Sequence, residues 1–303
     1  MTTKHPYFFG AHMSVAGGLH TGIERAAAAG CDCVQIFTKN NNQWNCAELT
    51  SEAIEQFRSA LTASGLPAPI AHTSYLINIA SPAEELWRKS VEALVVEWSR
   101  AEQLRLSGLV LHPGAYVDSS AEVGMQRVVE AIAAVQQRVR PQHCRLLLEN
   151  TAGQGTCLGW QFEQLGWMLT HARGCDHLGI CFDTCHAYAA GYDFSTPNQI
   201  KKMWRAFDEH IGLEHLYAVH VNDSKKGLGS RVDRHEHIGQ GCIGEEAFGL
   251  FVRSSPVRGK PMFLETPKGT DPATGQDWDM QNLATLRRLA HTTHRPPLSP
   301  QAN

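Results

Sequence analysis

No stretch of this chain is both long and apolar enough to cross a bilayer. The opening residues, MTTKHPYFFG, show no basic segment followed by an apolar one, so no secretion signal is expected there and the protein is expected in the cytoplasm. The nine cysteines are an odd number, with no CxxC pair and no repeated spacing, which argues against a disulfide scaffold. Net charge is small, -3, so the bulk basic signature of a nucleic-acid binder is missing. Internal repeats and low-complexity blocks are absent. The Pro-rich polar segment HTTHRPPLSPQAN (291–303) is expected to be disordered, which leaves residues 1–290 as one domain.

What the chain does have is a rhythm. Eight short apolar runs recur: YFFGAH (7–12), CVQIF (33–37), PIAHTS (69–74), GLVLHPG (108–114), CRLLLENT (144–151), LGICFDT (178–184), LYAVHVND (216–223) and PMFLET (261–266). They are apolar nearly throughout, as strands buried on both faces are. Helix signals fill the gaps. GLHTGIERAAAAG and TSEAIEQFRSALTASG close on glycine, and SPAEELWRKSVEALVVEWSRAEQL opens with a Ser cap and Pro at the first position. SAEVGMQRVVEAIAAVQQRV, QFEQLGWMLTHA, TPNQIKKMWRAFDEHI, GEEAFGLFVRSS and DWDMQNLATLRRLAHT follow. Strands separated by helices imply a parallel sheet. Eight such units in 303 residues fit a closed (β/α)8 TIM barrel, an α/β fold in one domain. An open doubly wound sheet is the alternative.

Sixteen histidines are the compositional excess, and histidine is the commonest metal ligand. His72, His112, Glu149, Asp183, His220 and Glu265 fall at or near the C-terminal ends of the third to eighth runs, where barrels build active sites. Buried without partners, such groups are costly, and cations among them would remove the cost. A hydrogen-bonded polar mouth without metal is the alternative. Imidazole with carboxylate suits zinc, and also manganese or iron. Three histidines and three carboxylates exceed the needs of one tetrahedral zinc. They fit two metals about 4 Å apart with a bridging carboxylate, an arrangement used for in-line phosphoryl displacement. His186, three residues after Asp183, could join Asp233 and His235 of SRVDRHEHIGQG in one further three-ligand site. In GICFDTCHAYAAGYD, Asp183 and His186 therefore read as the functional pair, and Cys181 and Cys185 as packing. GQGCIG (239–244) matches a dinucleotide-binding pattern, with Glu265 about 20 residues beyond. It follows a charged segment and not a hydrophobic strand, so it reads as a tight turn into a helix.

Nearly end to end, the chain resembles the endonuclease IV family of apurinic/apyrimidinic endonucleases. The resemblance is carried by GAHMSVAGGL, FTKNNNQW, HTSYLIN, HPG, LLLENTAGQG, CFDTCHAYAAGYD, HVNDSKKGLGSRVDRHEHIGQGCIG and LET. It implies a (β/α)8 barrel with three Zn2+ ions, Mn2+ being an alternative at some sites. His72, His112 and Glu149 would hold the first. Glu149 would bridge to the second, completed by Asp183, His220 and Glu265, with Glu149 and Glu265 the carboxylates at the chemistry. His186, Asp233 and His235 would hold the third. The implied partner is double-stranded DNA with abasic sites or blocked 3′ ends, with no membrane and no obligate protein partner, and the implied location is the nucleoid. Cleavage 5′ to the abasic deoxyribose would leave a 3′-hydroxyl and a 5′-deoxyribose phosphate, and blocked 3′ ends would be trimmed. Paired metals lower the pKa of bound water, which suits that hydrolysis.

Gln43, Tyr75 and Leu76 match the family's residues that enter the duplex and flip the abasic nucleotide, a step made easier by the missing base. Packing on the barrel rim is their other reading. The chain departs from the family at Asn42, usually Arg, and at Thr73, often a carboxylate. Lys39, Lys225, Lys226, Arg231 and Arg234 are placed to meet phosphates. A metal-dependent sugar isomerase or epimerase would share the barrel and the His/carboxylate centre, but has little use for Asp233 and His235 beside His186.

Overall fold

Residues 7–67, 69–172 and 174–291 are described by a computed structural model. The barrel strands are β1 (Phe8–Met13), β2 (Cys33–Phe37), β3 (Ile70–His72), β4 (Gly108–Leu111), β5 (Arg145–Glu149), β6 (Leu178–Asp183), β7 (Leu216–His220) and β10 (Pro261–Leu264). Between β7 and β10 lies an antiparallel hairpin of two-residue strands, β8 (Asp223–Ser224) and β9 (His235–Glu236). The eight long strands pair in parallel and β10 closes onto β1, so the sheet has no free edge. The expected barrel is present, and the open-sheet alternative is not.

Side chains alternate across a strand, so one set points into the barrel and the next outward to the helices. Cys33, Ile70, Val110, Leu147, Cys181, Ala218 and Phe263 form a separate apolar cluster, one residue from each of seven strands. This is the plug of the barrel. Two residues further along the same strands come Gln35, His72, His112, Glu149, Asp183, His220 and Glu265. Alternation turns these inward too, above the plug at the C-terminal mouth. On β1 the equivalent step runs from Gly10 to His12. Gly10 can bear no side chain, since a Cβ there would lie 1.8 Å from the Cys33 carbonyl oxygen.

The helices are α1 (Leu19–Ala28), α2 (Ser51–Ser64), α3 (Glu84–Gln103), α4 (Ala121–Val139), α5 (Phe162–His171), α6 (Thr184–Ala190), α7 (Pro197–His210), α8 (Gly244–Val252) and α9 (Trp278–His291). Their caps follow the sequence where it offered clear ones. Thr50, Ser120 and Thr196 each accept a backbone N–H three residues on, and Gly65 ends α2 in the left-handed region at φ 66°. Two features differ from expectation. α3 begins at Glu84, because Ser81 Oγ accepts the Ala83 N–H at 3.2 Å and makes a turn with Pro82 before the helix. α6 was not anticipated: the Asp183 carboxylate accepts the His186 N–H at 2.7 Å and caps a short helix at the end of β6. His291 closes α9, and the rest of the segment expected to be a tail, 292–303, lies outside the described residues. No helix among the described residues is long and apolar enough to cross a membrane.

Candidate metal centre

Glu149, at the end of β5 and wholly buried, is the hub of the mouth. Its Oε2 lies 3.2 Å from His72 Nε2 and 3.1 Å from His112 Nε2. Its Oε1 lies 2.8 Å from His220 Nδ1 and 3.3 Å from His186 Nδ1. The two oxygens thus face two different sets of imidazoles. His72, His112 and Glu149 place donor atoms within 4.8 Å of one another, as do Glu149, Asp183, His220 and Glu265. A third set forms beside them. The carboxylate of Asp233 reaches His186 Nε2 and His235 Nε2, both at 3.2 Å. All nine residues singled out in the sequence are brought to one mouth.

The β8–β9 hairpin explains how distant residues reach it. Its tip folds back on α6, where Gly229 and Arg231 donate backbone N–H bonds to Tyr188 and Ala189, and Asp233 donates its N–H to Gln154. The base of the hairpin is held by Asp223, which sequence reasoning missed. Its buried carboxylate accepts the N–H groups of Ser224, Gly239, Gly241, Ile243 and Gly244 at 2.7–3.3 Å. A Cβ at Gly241 would lie 2.4 Å from Asp223 Oδ1. The GQGCIG glycines do cradle an anion, but that anion is the protein's own aspartate.

Four of the histidines are also oriented from behind, which fixes the ring nitrogen each presents. His72 Nδ1 meets the Thr73 carbonyl at 2.7 Å, His186 Nδ1 the Asn150 carbonyl at 2.9 Å, His235 Nδ1 the Glu265 carbonyl at 3.2 Å, and His220 Nε2 the Gln35 Oε1 at 2.8 Å. Asn222 donates to Asp183 Oδ2 at 2.6 Å and accepts the Glu265 N–H at 2.7 Å. Gln35 donates to Glu265 Oε1 at 2.5 Å, and His12 Nδ1 lies 3.3 Å from the same oxygen. His12, Gln35, Asn150 and Asn222 therefore belong to the site although the sequence reading did not select them. The step of two residues that marks the other strands would have found His12 and Gln35.

The electrostatics show which charge the cluster favours. Burial works against charge on Glu149, Glu265 and Asp233, yet their carboxylates are held well below the usual range by facing histidines. Reciprocally, facing carboxylates outweigh burial and raise His72 and His186, and His235 to about 9, while His220 is raised by Cys181 together with Glu149 and Glu265. Both sets of shifts run the same way: the carboxylates favour positive charge at this mouth. His235 Nε2 is buried with no hydrogen-bond partner and faces Asp233. Oxygen and imidazole donors, preset tautomers and an orphaned ring nitrogen fit divalent metal ions such as zinc or manganese.

Cys181 belongs to the apolar plug, and burial pushes its thiol up to about 12. Cys185 is also buried and its thiol is likewise raised to about 12, with Sγ 3.7 Å from the Arg234 carbonyl oxygen. It differs from Cys181 in lying within 4.8 Å of donor atoms of Asp233 and His235.

The expected DNA contacts divide. Tyr75 is 59% exposed although its ring packs on His72, with centroids 5.3 Å apart, so it overhangs the mouth. Asn42 and Gln43 are exposed and Leu76 is half-buried on the adjoining loops. Lys225, Lys226, Arg231 and Arg234 are exposed, with Arg231 stacked on Trp160 at 3.7 Å. Lys39 departs from the expectation. Its side chain is buried, its ammonium lies 3.5 Å from the Glu97 carboxylate, and it donates to the carbonyls of Asn40 and Gln43. Its charge is turned into the protein, away from any phosphate.

The fold and the site define a class first. Residues 23–288 match the family model of xylose isomerase-like TIM barrels. Within that class the chain is 46% identical over 282 residues to a probable endonuclease 4 from Trichlorobacter lovleyi, covering 93% of this chain and 99% of that one. The crystal structure of endonuclease IV from Thermus thermophilus superposes with a TM-score of 0.81 at 37% identity, covering 93% of this chain and 98% of the other. A 3-keto-D-glucoside 4-epimerase from E. coli shares the fold alone, with a TM-score of 0.66 at 16% identity and coverage of 93% and 99%. The chain belongs to the endonuclease IV family of apurinic/apyrimidinic endonucleases.

Proposed function

We propose that the protein is a three-zinc endonuclease that hydrolyses the DNA phosphodiester 5′ to an abasic site, leaving a 3′-hydroxyl and a 5′-deoxyribose phosphate. It also trims blocked 3′ ends, and acts in the cytoplasm at the nucleoid without an obligate protein partner. The carrying observation is the third donor set. A sugar isomerase or epimerase needs one or two metals, and gains nothing from an Asp233 carboxylate held 3.2 Å from both His186 and His235 beside the Glu149 hub.

His72, His112 and Glu149 would hold one ion. Glu149, Asp183, His220 and Glu265 would hold the second, and His186, Asp233 and His235 the third. Manganese is an alternative occupant. Bound ions would supply charge for the phosphate and an activated water for its attack. Glu149 and Glu265 set the spacing and charge of the two sites that share Glu149. A cleft of about 490 Å3 opens beside them, lined by Tyr75, Asn78, His112, Gln154, His186 and Asp233. It offers room for one extruded nucleotide against the metal mouth. Tyr75, Leu76, Gln43 and Asn42 would engage the duplex around it, and Arg231, Arg234, Lys225 and Lys226 would meet phosphates, which orients DNA without reading sequence.

The test is incubation with a duplex carrying one abasic analogue, with analysis of both product ends and elemental analysis of the same sample. Cleavage 5′ to the lesion with about three metals per chain is expected. An intact duplex with well-folded, metal-loaded protein would overturn the reading, and one metal or fewer in active protein would overturn the trinuclear part.

A further inference from the structure

The buried cation–carboxylate pair behind the metal mouth has no part in binding metal. Glu97 and Arg100 lie three apart on α3, hence on one face, and both are buried against the barrel. Arg100 donates to the Thr38 carbonyl and, at 2.8 Å, to the Ala47 carbonyl, so it grips both ends of the loop that carries Asn42 and Gln43. Within that loop Lys39 holds the Asn40 and Gln43 carbonyls and pairs with Glu97. Glu97 then accepts the Ser74 N–H with both oxygens, at 3.3 and 3.1 Å, at the root of the loop that carries Tyr75 and Leu76. Ser74 Oγ closes the circuit by donating to the Asn41 carbonyl at 2.5 Å.

A buried ion pair is a poor means of gluing a helix to a barrel. Apolar side chains of equal volume usually do as well or better, because desolvation of two charges offsets their attraction. What apolar side chains do not do is fix named backbone groups. This pair fixes carbonyls in one loop and an amide in the other, two segments that do not follow each other in the chain. We propose that Lys39, Glu97 and Arg100 are positioning residues: a brace that holds the Asn42–Gln43 loop and the Tyr75–Leu76 loop in one fixed relation, so that damaged duplex meets both as a preset surface. The effect on DNA rests on the endonuclease reading above. The brace itself does not.

The test uses the full-length, metal-loaded protein and its Glu97→Gln, Lys39→Met and double variants. Hydrogen exchange should quicken in both 39–47 and 73–78 in each single variant. Lys39→Met is the sharper case, because the ion pair of Lys39 is with Glu97 and its hydrogen bonds go to Asn40 and Gln43 in its own loop, and it carries the test should Glu97→Gln fail to fold. Metal content should stay at the wild-type value. Affinity for a duplex with an uncleavable abasic analogue should fall about tenfold in each single variant and no further in the double, since the two residues act as a unit. The single-turnover rate at saturating cleavable duplex should stay within about twofold, because the brace orders the free protein and not the reacting atoms. Exchange that rises only in the mutated residue's own loop, affinity that is unchanged, or losses that multiply in the double variant would each overturn the brace. A wild-type protein that ignores abasic duplex would remove the endonuclease reading and leave the exchange result standing.

Discussion

Stripping the metals should make stability fall as pH rises from 6 to 9. In the metal-free protein, imidazolium protons supply the positive charge that the carboxylates demand. His235 moves from 6.5 to about 9 on folding, burial opposing the shift and Asp233 and Asp183 carrying it. A histidine with a raised folded pKa contributes stability that is fully present below 6.5 and is lost as pH climbs through about 9. A move from 6.5 to about 9 corresponds to about 3 kcal/mol. His186 and His220 are raised as well and act with the same sign. The carboxylates of Glu149, Glu265 and Asp233 have depressed values, so their share is constant above the ordinary carboxylate range and does not offset the loss. For a domain of this size the loss lowers Tm by about 6 °C or more. In the loaded protein the imidazoles are neutral ligands, and the dependence should vanish or reverse, because metal binding releases protons. Urea-unfolding midpoints at pH 6 and pH 9, with and without excess chelator, measure both cases. A chelated protein whose stability is flat or rises over that window would refute the reasoning.

Glu149→Gln should lower abasic-site cleavage by about a thousandfold or more and reduce bound metal, since a neutral amide cannot serve two cations; near-normal turnover in a folded variant would remove Glu149 from the mechanism. Cys181→Ala should cost about 1–3 kcal/mol in chemical denaturation and leave metal content intact, as expected for a plug residue. Cys185→Ala should likewise keep its metal, and loss of one ion would instead make Cys185 a ligand alongside Asp233 and His235. Tyr75→Ala should weaken duplex affinity by about 1–3 kcal/mol through a lost stacking contact. Asn42→Arg should tighten affinity at low salt and lose that gain as salt rises, through counterion release; an unchanged affinity at low salt would put residue 42 off the DNA surface.

The barrel and six of its nine candidate ligands are legible because both follow from short-range regularities; His186, Asp233 and His235 rest on local spacing alone. Buried parallel strands are apolar runs, and a His or carboxylate interrupting such a run at its C-terminal end has no other place to point than the mouth. The two polar positions that were passed over obey the same rule. Gln35 and His12 stand two residues beyond Cys33 and Gly10, as Glu149 stands two beyond Leu147. They were missed because an amide or a lone histidine near the start of a chain carries no ligand signature by itself. α6 is not legible because its cap, Asp183, also carries the signature of a ligand at a strand end. The same carboxylate accepts the His186 N–H with one oxygen and the Asn222 amide with the other.

Lys39 and Asp223 show where one-dimensional reading fails, and for a common reason. Each is a charged residue where the chain leaves a barrel strand near the mouth, and sequence places charge at the surface by default. Here both loops need internal anchors. The segment from Thr38 to Ala47 leaves the barrel, turns and returns without regular structure, so its carbonyls require donors from within. Lys39 and Arg100 supply them, and Glu97 supplies the countercharge. The segment after Ile238 turns through three glycines, and its amides require an acceptor, which Asp223 supplies. A surface that must hold two loops rigidly over a metal mouth therefore internalises charge that would otherwise face solvent. The residues left outside, Tyr75, Gln43, Asn42, Arg231 and Arg234, are the ones free to meet a duplex. The burial of Lys39 follows from that need for internal donors, and leaves Tyr75, Gln43, Asn42, Arg231 and Arg234 as the exposed groups of this face.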